Sequence, residues 1–279
     1  MRVLHARRVL AADKRGSSWP VLIETEEESA GKRQFTKLRG AAQGTGALVA
    51  EVIVAELAES LGLRVPARAL VHIPTAIESL DENDELADLL RASAGVNLGF
   101  AYLESASSFG PTSDVARLSE EEAAAILWLD GLVANPDRTA RNPNLLWQDE
   151  QLWLIDHGAA LGFQYSLPDV DVTAARRPYT LREPHLLQSR VTDVATWDDA
   201  LASRLTPDIV ARAVAEVPDE FLAPLVAVNG SETLALRRAA YADYLTRRLE
   251  PPRPFLAPVA APPNEQRRRG RPAWITGQR

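Results

Sequence analysis

Three polar side chains in the middle of the chain have the types and the spacing that phosphoryl transfer requires. Asp137 and Asn142 form the pattern D-x-x-x-x-N in a polar loop, and Asp156 follows 14 residues later within Ile-Asp-His-Gly. In phosphoryl transfer one carboxylate orients the attacking hydroxyl and accepts its proton, while a carboxamide and a second carboxylate bind Mg²⁺ on the phosphates. A hairpin between Asn142 and Asp156 would bring both oxygen ligands to one face of a cleft.

Two charged residues upstream complete this set. Lys37 ends a predicted strand and Glu51 lies in the following helix, where a kinase has its phosphate-binding lysine and the glutamate that orients it. Ordinary alternatives exist, because both polar motifs can be turn chemistry alone and both charges can be solvated. Phosphoryl transfer is favoured by the order in which these features occur. The order is strand lysine, helix glutamate, capped helix, D-x-x-x-x-N, hairpin and Asp-His-Gly.

Hydrophobic periodicity and turn residues predict the elements that position these groups. In the first half, strands are predicted over residues 3–12, 19–25, 33–38, 67–73 and 97–103, and a buried helix over residues 47–61. The acidic stretch 78–88 is predicted to be a surface excursion.

The second half is predicted to be mostly helical. Ser119 and Glu122 form a capping box for a helix that ends near Val133, and further helices begin at Thr206 and Ser231. A hairpin is predicted at residues 145–148 and 152–155. This order of elements predicts an α+β fold with two lobes.

Several runs of sequence together resemble the HipA-like kinase family. They are residues 35–44 (FTKLRGAAQG), 48–51 (LVAE), 61–66 (LGLRVP), 135–146 (NPDRTARNPNLL) and 154–160 (LIDHGAA). The resemblance, over roughly residues 3–255, implies a protein-kinase-like bilobal fold. It predicts a β-rich N-lobe over residues 1–106, a mostly helical C-lobe over residues 107–255, and an extended or disordered Pro/Arg-rich tail over residues 256–279.

The resemblance also implies a role for each site residue. Asp137 would be the catalytic base, supported by Lys37 and Glu51, and Asn142 and Asp156 would bind Mg²⁺. Lys37 would contact the phosphates of ATP. Nucleotide contacts are also expected from Arg39, Gln43 and Gly44. One position departs from the pattern of the HipA toxins, which usually have histidine two residues after the catalytic aspartate, where this chain has Thr139.

The resemblance implies a function and leaves two others open. The best-known members are serine/threonine protein kinases of bacterial toxin–antitoxin systems, so we expect a cytoplasmic, ATP- and Mg²⁺-dependent kinase that phosphorylates a protein serine or threonine. One alternative is a small-molecule phosphotransferase of the aminoglycoside type, which shares the lobed plan. The other is a non-catalytic, nucleotide-binding adaptor whose tail contacts DNA.

Composition excludes several other classes of protein. The chain has no cysteine, which excludes disulfides and thiolate chemistry, and its four histidines form no HExxH zinc motif. No apolar run is long enough to span a bilayer, and the first residues lack the apolar core of a signal peptide. We therefore expect neither membrane insertion nor secretion.

The charge distribution separates an acidic body from a basic tail. From Pro251 onward, six arginines and one glutamate give a charge of +5. Because the net charge of the chain is −7, residues 1–250 have a charge of −12. Within this tail, residues 267–272 (RRRGRP) resemble a minor-groove hook, and the alternative is a solvated basic tail. DNA contact through Arg267 to Pro272 is therefore expected to be weak.

Two glycine-containing segments are candidate phosphate loops. Residues 40–46 precede a helix N-terminus, whose amides can bind an anion, but no Lys-Ser or Lys-Thr follows as in a Walker A loop. A phosphate contact and a plain connector remain open for this segment. The turn at residues 15–18 lies where kinases have a phosphate-covering loop, but it lacks GxGxxG.

Overall fold

The computed structural model describes residues 1–13, 19–28, 32–111, 114–166, 173–227, 233–257 and 259–260. It has a strand-rich N-terminal region and a helix-rich C-terminal region. The strands are β1 (Arg2–Ala12), β2 (Val21–Thr25), β3 (Arg33–Lys37), β4 (Arg68–Ile73), β5 (Glu78–Ser79), β6 (Gly95–Ala101), β7 (Ser107–Ser108), β8 (Leu145–Gln148), β9 (Gln151–Leu154), β10 (Thr180–Leu181) and β11 (Val259–Ala260). The helices are α1 (Gly44–Ser60), α2 (Asp84–Ala92), α3 (Glu120–Leu132), α4 (Asp198–Ala202), α5 (Pro207–Ala215), α6 (Asp219–Ala227) and α7 (Leu234–Leu249).

The N-terminal sheet closes on itself through its first strand. Its order is β2-β3-β6-β4-β1-β5, and β1 also pairs with β2. The first half of β1 runs parallel to β4, and its second half runs antiparallel to β2, with two register shifts in that pairing. Such irregularities increase local twist and bend a strand, which allows one long strand to join both ends of the sheet.

The helix α1 is buried on nearly every side, as its composition predicts. Its residues from Thr45 to Ala55 are all buried, and it packs against α5 and α6 as well as within the main core. A helix that is apolar all round is stable only inside a core. Its first residue, Gly44, has φ of +68°, a conformation that favours glycine.

The helix α3 is fixed at both ends. At its start, the Ser119 hydroxyl accepts from the Glu122 amide, which is one of the two hydrogen bonds of the predicted capping box. At its end, the Arg248 guanidinium of α7 donates to the carbonyls of Gly131 and Leu132, each at 2.7 Å. The same guanidinium also donates to Ala175 and Arg177 carbonyls. The C-terminal end of α3, where the polar loop begins, is therefore bonded to α7 and to the segment around residue 175.

The predicted hairpin is present as β8 and β9. Its two-residue turn, Asp149 and Glu150, has φ of +51° and +59°. Two successive positive φ values are typical of the type I′ turn, whose twist matches that of the flanking strands. The hairpin connects the polar loop after α3 to the Asp-His-Gly segment, as the sequence indicates.

The acidic stretch 78–88 lies largely at the surface, as predicted, but it also contains regular structure that the sequence analysis did not predict. This stretch contains β5 and the start of α2, whose N-terminus is capped by the Asn83 side chain. Leu86 and Leu90 lie one helical turn apart and are buried in a second, smaller core with Val9 and Ile23. The acidic residues of α2 face away from that core. The segment is therefore an amphipathic helix, whose charged face accounts for its high charge.

Some predictions concern residues outside those that the structure describes. These are the turn at residues 15–18, the Ser231 cap and the basic run at residues 267–272. The last helix is capped by Thr233, whose hydroxyl accepts from the Leu236 amide. Within the segment predicted to be a tail, β11 pairs in parallel with β10, so residues 259–260 contact the body of the protein. No helix of the described residues is long and apolar enough to cross a membrane.

Candidate functional site

Lys37 joins the N-terminal sheet to two acidic residues from different parts of the chain. Its ammonium nitrogen Nζ contacts Oε1 of Glu51, on α1, and lies 2.5 Å from Oδ1 of Asp156. Lys37 and Glu51 are buried, whereas the Asp156 side chain is 39% exposed. The structure therefore brings together three of the predicted site residues, two of them separated by 119 positions in sequence.

The ionisation of these groups follows from their burial and mutual charge. Burial alone would lower the pKa of Lys37, but the charges of Glu51 and Asp156 outweigh it and raise the pKa to about 12. Burial raises the pKa of Glu51, against the opposing effect of Lys37. For Asp156, burial is opposed and outweighed by Lys37, which lowers the pKa. Lys37 is thus a permanently charged group with one buried partner and one partner facing the solvent.

The Asp-His-Gly segment lies directly against α1. A Cβ added at Gly158 would lie 3.2 Å from Glu51 Oε1 and 3.3 Å from the Ala47 Cβ, which is closer than ordinary contact. Glycine at this position therefore allows α1 and Asp156 to approach the same lysine. Asp156 has φ of +57°, an uncommon left-handed conformation for a residue other than glycine.

His157 lies between the acidic and basic groups of the site. Burial and the nearby charge of Arg138 lower its pKa to about 3, so the imidazole is neutral at physiological pH. Both of its ring nitrogens are buried and have no hydrogen-bond partner among the described residues. His157 therefore contributes packing, and not charge, to the Asp-His-Gly segment.

The polar loop after α3 brings Asp137 and Asn142 together. The Asn142 Nδ2 donates to Asp137 Oδ2 at 2.8 Å, and the Asp137 amide donates to Asn135 Oδ1 at 3.1 Å. The turn between them is closed by hydrogen bonds between the backbones of Thr139 and Asn142. The loop thus holds a carboxylate and a carboxamide in contact, with Asn142 exposed and Asp137 half-buried.

The environment of Asp137 favours proton acceptance. Burial and the negative charge of Asp156 both raise the pKa of Asp137, against hydrogen bonds from Asn144 and Asn142 that lower it. A raised pKa increases the affinity of a carboxylate for a proton. The loop also contacts the Asp-His-Gly segment, because the Asn144 Nδ2 donates to the Asp156 carbonyl at 3.4 Å.

A group of buried residues to which the sequence analysis assigned no role supports this loop. They are Asp130, Asn135, Arg138, Asn144 and His185. Asp130 Oδ2 accepts from Arg138 Nε at 2.6 Å and lies 2.9 Å from His185 Nε2. A sequence signal was present, since an aspartate in an otherwise apolar helix must be paired when it is buried.

The remaining predicted nucleotide contacts lie at the entrance to α1. The Arg39 amide donates to Asn97 Oδ1 at 2.8 Å, and the Gly44 amide donates to the Ala41 carbonyl at 2.8 Å. Gln43 occupies the N-cap position of α1, where its side chain makes no capping hydrogen bond. These bonds shape the turn between β3 and α1 and do not involve Lys37, Glu51 or Asp156.

The acidic residues of the site do not form a protein-only metal cage. Among the described residues there is no group of three or more His, Cys, Asp or Glu side chains arranged to hold a metal ion. Asp156 and Asn142 supply one carboxylate and one carboxamide. A divalent cation at these two ligands would need further oxygen ligands from another molecule.

Comparison with known proteins gives a family match and a similarity to a solved structure. A family model described as a HipA-like kinase matches residues 9–177, more than half of the chain and all of the site residues above except His185. The chain is also similar to the solved structure of the Helicobacter pylori proinflammatory kinase CtkA, with 13% identity and a TM-score of 0.47, over 83% of this chain and 95% of that chain. Comparison with curated proteins finds no match.

Proposed function

The chain belongs to the HipA-like kinase family, and from this premise we propose that it transfers the γ-phosphoryl group of ATP, with Mg²⁺, to a serine or threonine of a protein. The proposed fold is the bilobal kinase fold, with residues 1–106 as the N-lobe and residues 107–255 as the C-lobe. The observation that carries the proposal is the contact of Lys37 with both Glu51 and Asp156. This contact of the strand lysine with the helix glutamate and with the aspartate of Asp-His-Gly supports the proposal.

Lys37 is proposed to bind the phosphates of the nucleotide. It keeps its charge because its pKa is raised to about 12. Glu51 is fully buried and holds the ammonium group from the side of α1, whereas Asp156 is partly exposed. A preorganised cation adds to transition-state stabilisation because it needs no reorganisation when charge develops on the phosphoryl group.

Asp137 is proposed to face the acceptor hydroxyl. Its amide and side chain are bonded to Asn135 and Asn142, so its orientation is fixed within the loop. Its raised pKa favours acceptance of the hydroxyl proton during transfer. Arg39, Gln43 and Gly44 are proposed to contact the nucleotide from the turn that precedes α1.

The donor set fits Mg²⁺ bound together with nucleotide phosphates. Asp156 offers a carboxylate, and Asn142 donates to Asp137 through its amide nitrogen, which leaves the amide oxygen for a metal. Hard oxygen ligands of these two types, completed by phosphate oxygens and water, suit Mg²⁺. Bound Mg²⁺ would neutralise charge on the phosphates.

The test uses γ-labelled ATP with the purified protein and a cell lysate. We expect Mg²⁺-dependent label in protein serine or threonine, and its loss in Asp137→Ala. Asp88→Ala, an exposed aspartate on α2, is the matched control and should retain activity. Label found only in small molecules would support the aminoglycoside-type alternative. Nucleotide binding with no transfer to either pool would contradict an enzymatic role.

A further inference from the structure

The carboxylate of Asp130 is a buried acceptor outside the residues assigned to phosphoryl transfer. It accepts from Asn135 Nδ2 at 2.9 Å, and from Arg138 Nε at 2.6 Å and Nη2 at 3.4 Å. His185 Nε2 lies 2.9 Å from the same carboxylate. Burial would raise the pKa of Asp130, but Arg138 and His185 outweigh it and hold the pKa below its usual range. Asp130 is therefore a charged acceptor inside the core.

The groups that donate to Asp130 also fix the backbone of the loop. Asn135 accepts from the Asp137 amide at 3.1 Å, next to the proposed base. Arg138 donates from Nη1 to the Asn144 carbonyl at 2.6 Å, at the other end of the loop. Asp130 therefore fixes the start and the end of the loop that contains Asp137 and Asn142 through two side chains.

His185 reaches this carboxylate from a segment 55 residues away along the chain. Its Nδ1 accepts from the Leu187 amide at 3.1 Å, so the ring N–H at Nε2 points at Asp130. The neighbouring Leu186 amide donates to the Arg138 carbonyl at 3.0 Å, and residues 139 and 185 form an isolated β-bridge. The segment around His185 thus binds both the carboxylate and the loop backbone.

We propose that Asp130 and His185 are positioning residues, which act through Asn135 and Arg138 to hold Asp137 toward the acceptor hydroxyl. This inference rests on the proposed function. Neither residue has to touch the nucleotide or the acceptor. A misplacement of about 1 Å at a reacting group can cost about 100-fold in rate, so loss of this support should affect the transfer step far more than nucleotide binding.

The first test is kinetic and uses two substitutions of His185. His185→Leu removes the hydrogen bond, whereas His185→Gln keeps an N–H donor on a side chain of similar reach. We expect His185→Leu to lower kcat by about 10- to 100-fold with KM for ATP changed less than about threefold, and His185→Gln to recover most of kcat. His72→Leu, at an exposed histidine of β4, is the control and should leave both constants unchanged. Equal kcat in the wild type and His185→Leu, or a loss that His185→Gln does not relieve, would overturn the proposal.

The second test needs no phosphotransfer. Hydrogen exchange of the amides of Asp137, Thr139 and Asn142 is expected to be faster in His185→Leu than in the wild type, while the amides of β4 are unchanged. If His185→Leu does not fold, the same comparison is made with Asp130→Asn, which keeps the shape of the side chain and removes its charge. Unchanged loop exchange would overturn the positioning role. A wild type without any transfer activity would instead contradict the proposed function, and the exchange result would still decide the role of His185.

Discussion

Replacement of Lys37 by methionine should destabilise the protein more than any surface lysine substitution. Lys37 is the partner of Glu51, which has no exposed surface. Without the ammonium group, Glu51 must stay charged and unpaired in the core or take up a proton. Removal of one member of a buried ion pair costs about 3–5 kcal/mol. The second partner, Asp156, is partly exposed, so water can solvate its charge and it adds little to this cost.

A double variant separates this cost from the loss of function. In Lys37→Met/Glu51→Gln the core contains no unpaired charge, so we expect at least half of the lost stability to return. Phosphotransfer should stay absent in both variants, because neither has the cation proposed to bind phosphate. Stability and activity are therefore expected to diverge between the single and the double variant.

The measurement is urea unfolding followed by circular dichroism. With an m-value of about 3 kcal/mol/M, a loss of 3–5 kcal/mol moves the midpoint by about 1 M or more. Lys32→Met is the control: Lys32 is an exposed lysine whose Nζ lies 3.7 Å from Oε1 of the buried Glu24, and Glu24 keeps its closer partner Arg8 at 2.6 Å, so we expect a loss of about 1 kcal/mol or less. Equal midpoints for the wild type and Lys37→Met, or equal destabilisation of the single and double variants, would refute the reasoning.

Three further predictions concern the same site. Gly158→Ala should lower the free energy of unfolding by about 1–3 kcal/mol through overpacking against α1. Gly162→Ala is the control and should not, because nothing lies within 4 Å of an added Cβ there. Thermal unfolding measures both variants, and equal melting temperatures would contradict the close packing at Gly158. Asp156→Asn should weaken Mg²⁺-dependent ATP binding and turnover together, as measured by calorimetry and label transfer, and normal turnover would show that Asp156 is not a metal ligand. Asp137→Ala should retain Mg²⁺-dependent ATP binding while transfer is lost, and weakened binding in calorimetry would contradict a role toward the acceptor.

Local sequence signals predicted the elements that surround the site. The Ser119 cap, the apolar α1 and the two-residue turn of the hairpin are each specified by residues close together in sequence. The same signals missed the helix α2, because the acidic stretch that contains its start was interpreted only as a surface excursion. The spacing of Leu86 and Leu90, with the cap at Asn83, was the signal that indicated an amphipathic helix.

The supporting contacts of the site depend on tertiary structure. Asp130 could have been singled out, since it follows Ile126 to Leu129 in a helix with no other charge near its end. Its partner His185 could not, because 55 residues separate the two and their meeting depends on how the segment after Asp156 folds back over the loop. The closure of the sheet through β1 also could not be predicted from the sequence, because this strand pairs with different partners along its length.

The contact of Arg248 with the end of α3 can form only late in synthesis, after α7 has been added to the chain. The guanidinium supplies hydrogen bonds to four carbonyls, at Gly131, Leu132, Ala175 and Arg177. Chains fold from the N-terminus as they are made, at about 5–20 residues per second, so the sheet can form seconds before residue 248 is added. Until α7 docks, the end of the helix that leads into the polar loop lacks the hydrogen-bond donors that Arg248 supplies. A chain interrupted before α7 should therefore have its N-terminal sheet but lack a competent phosphotransfer site.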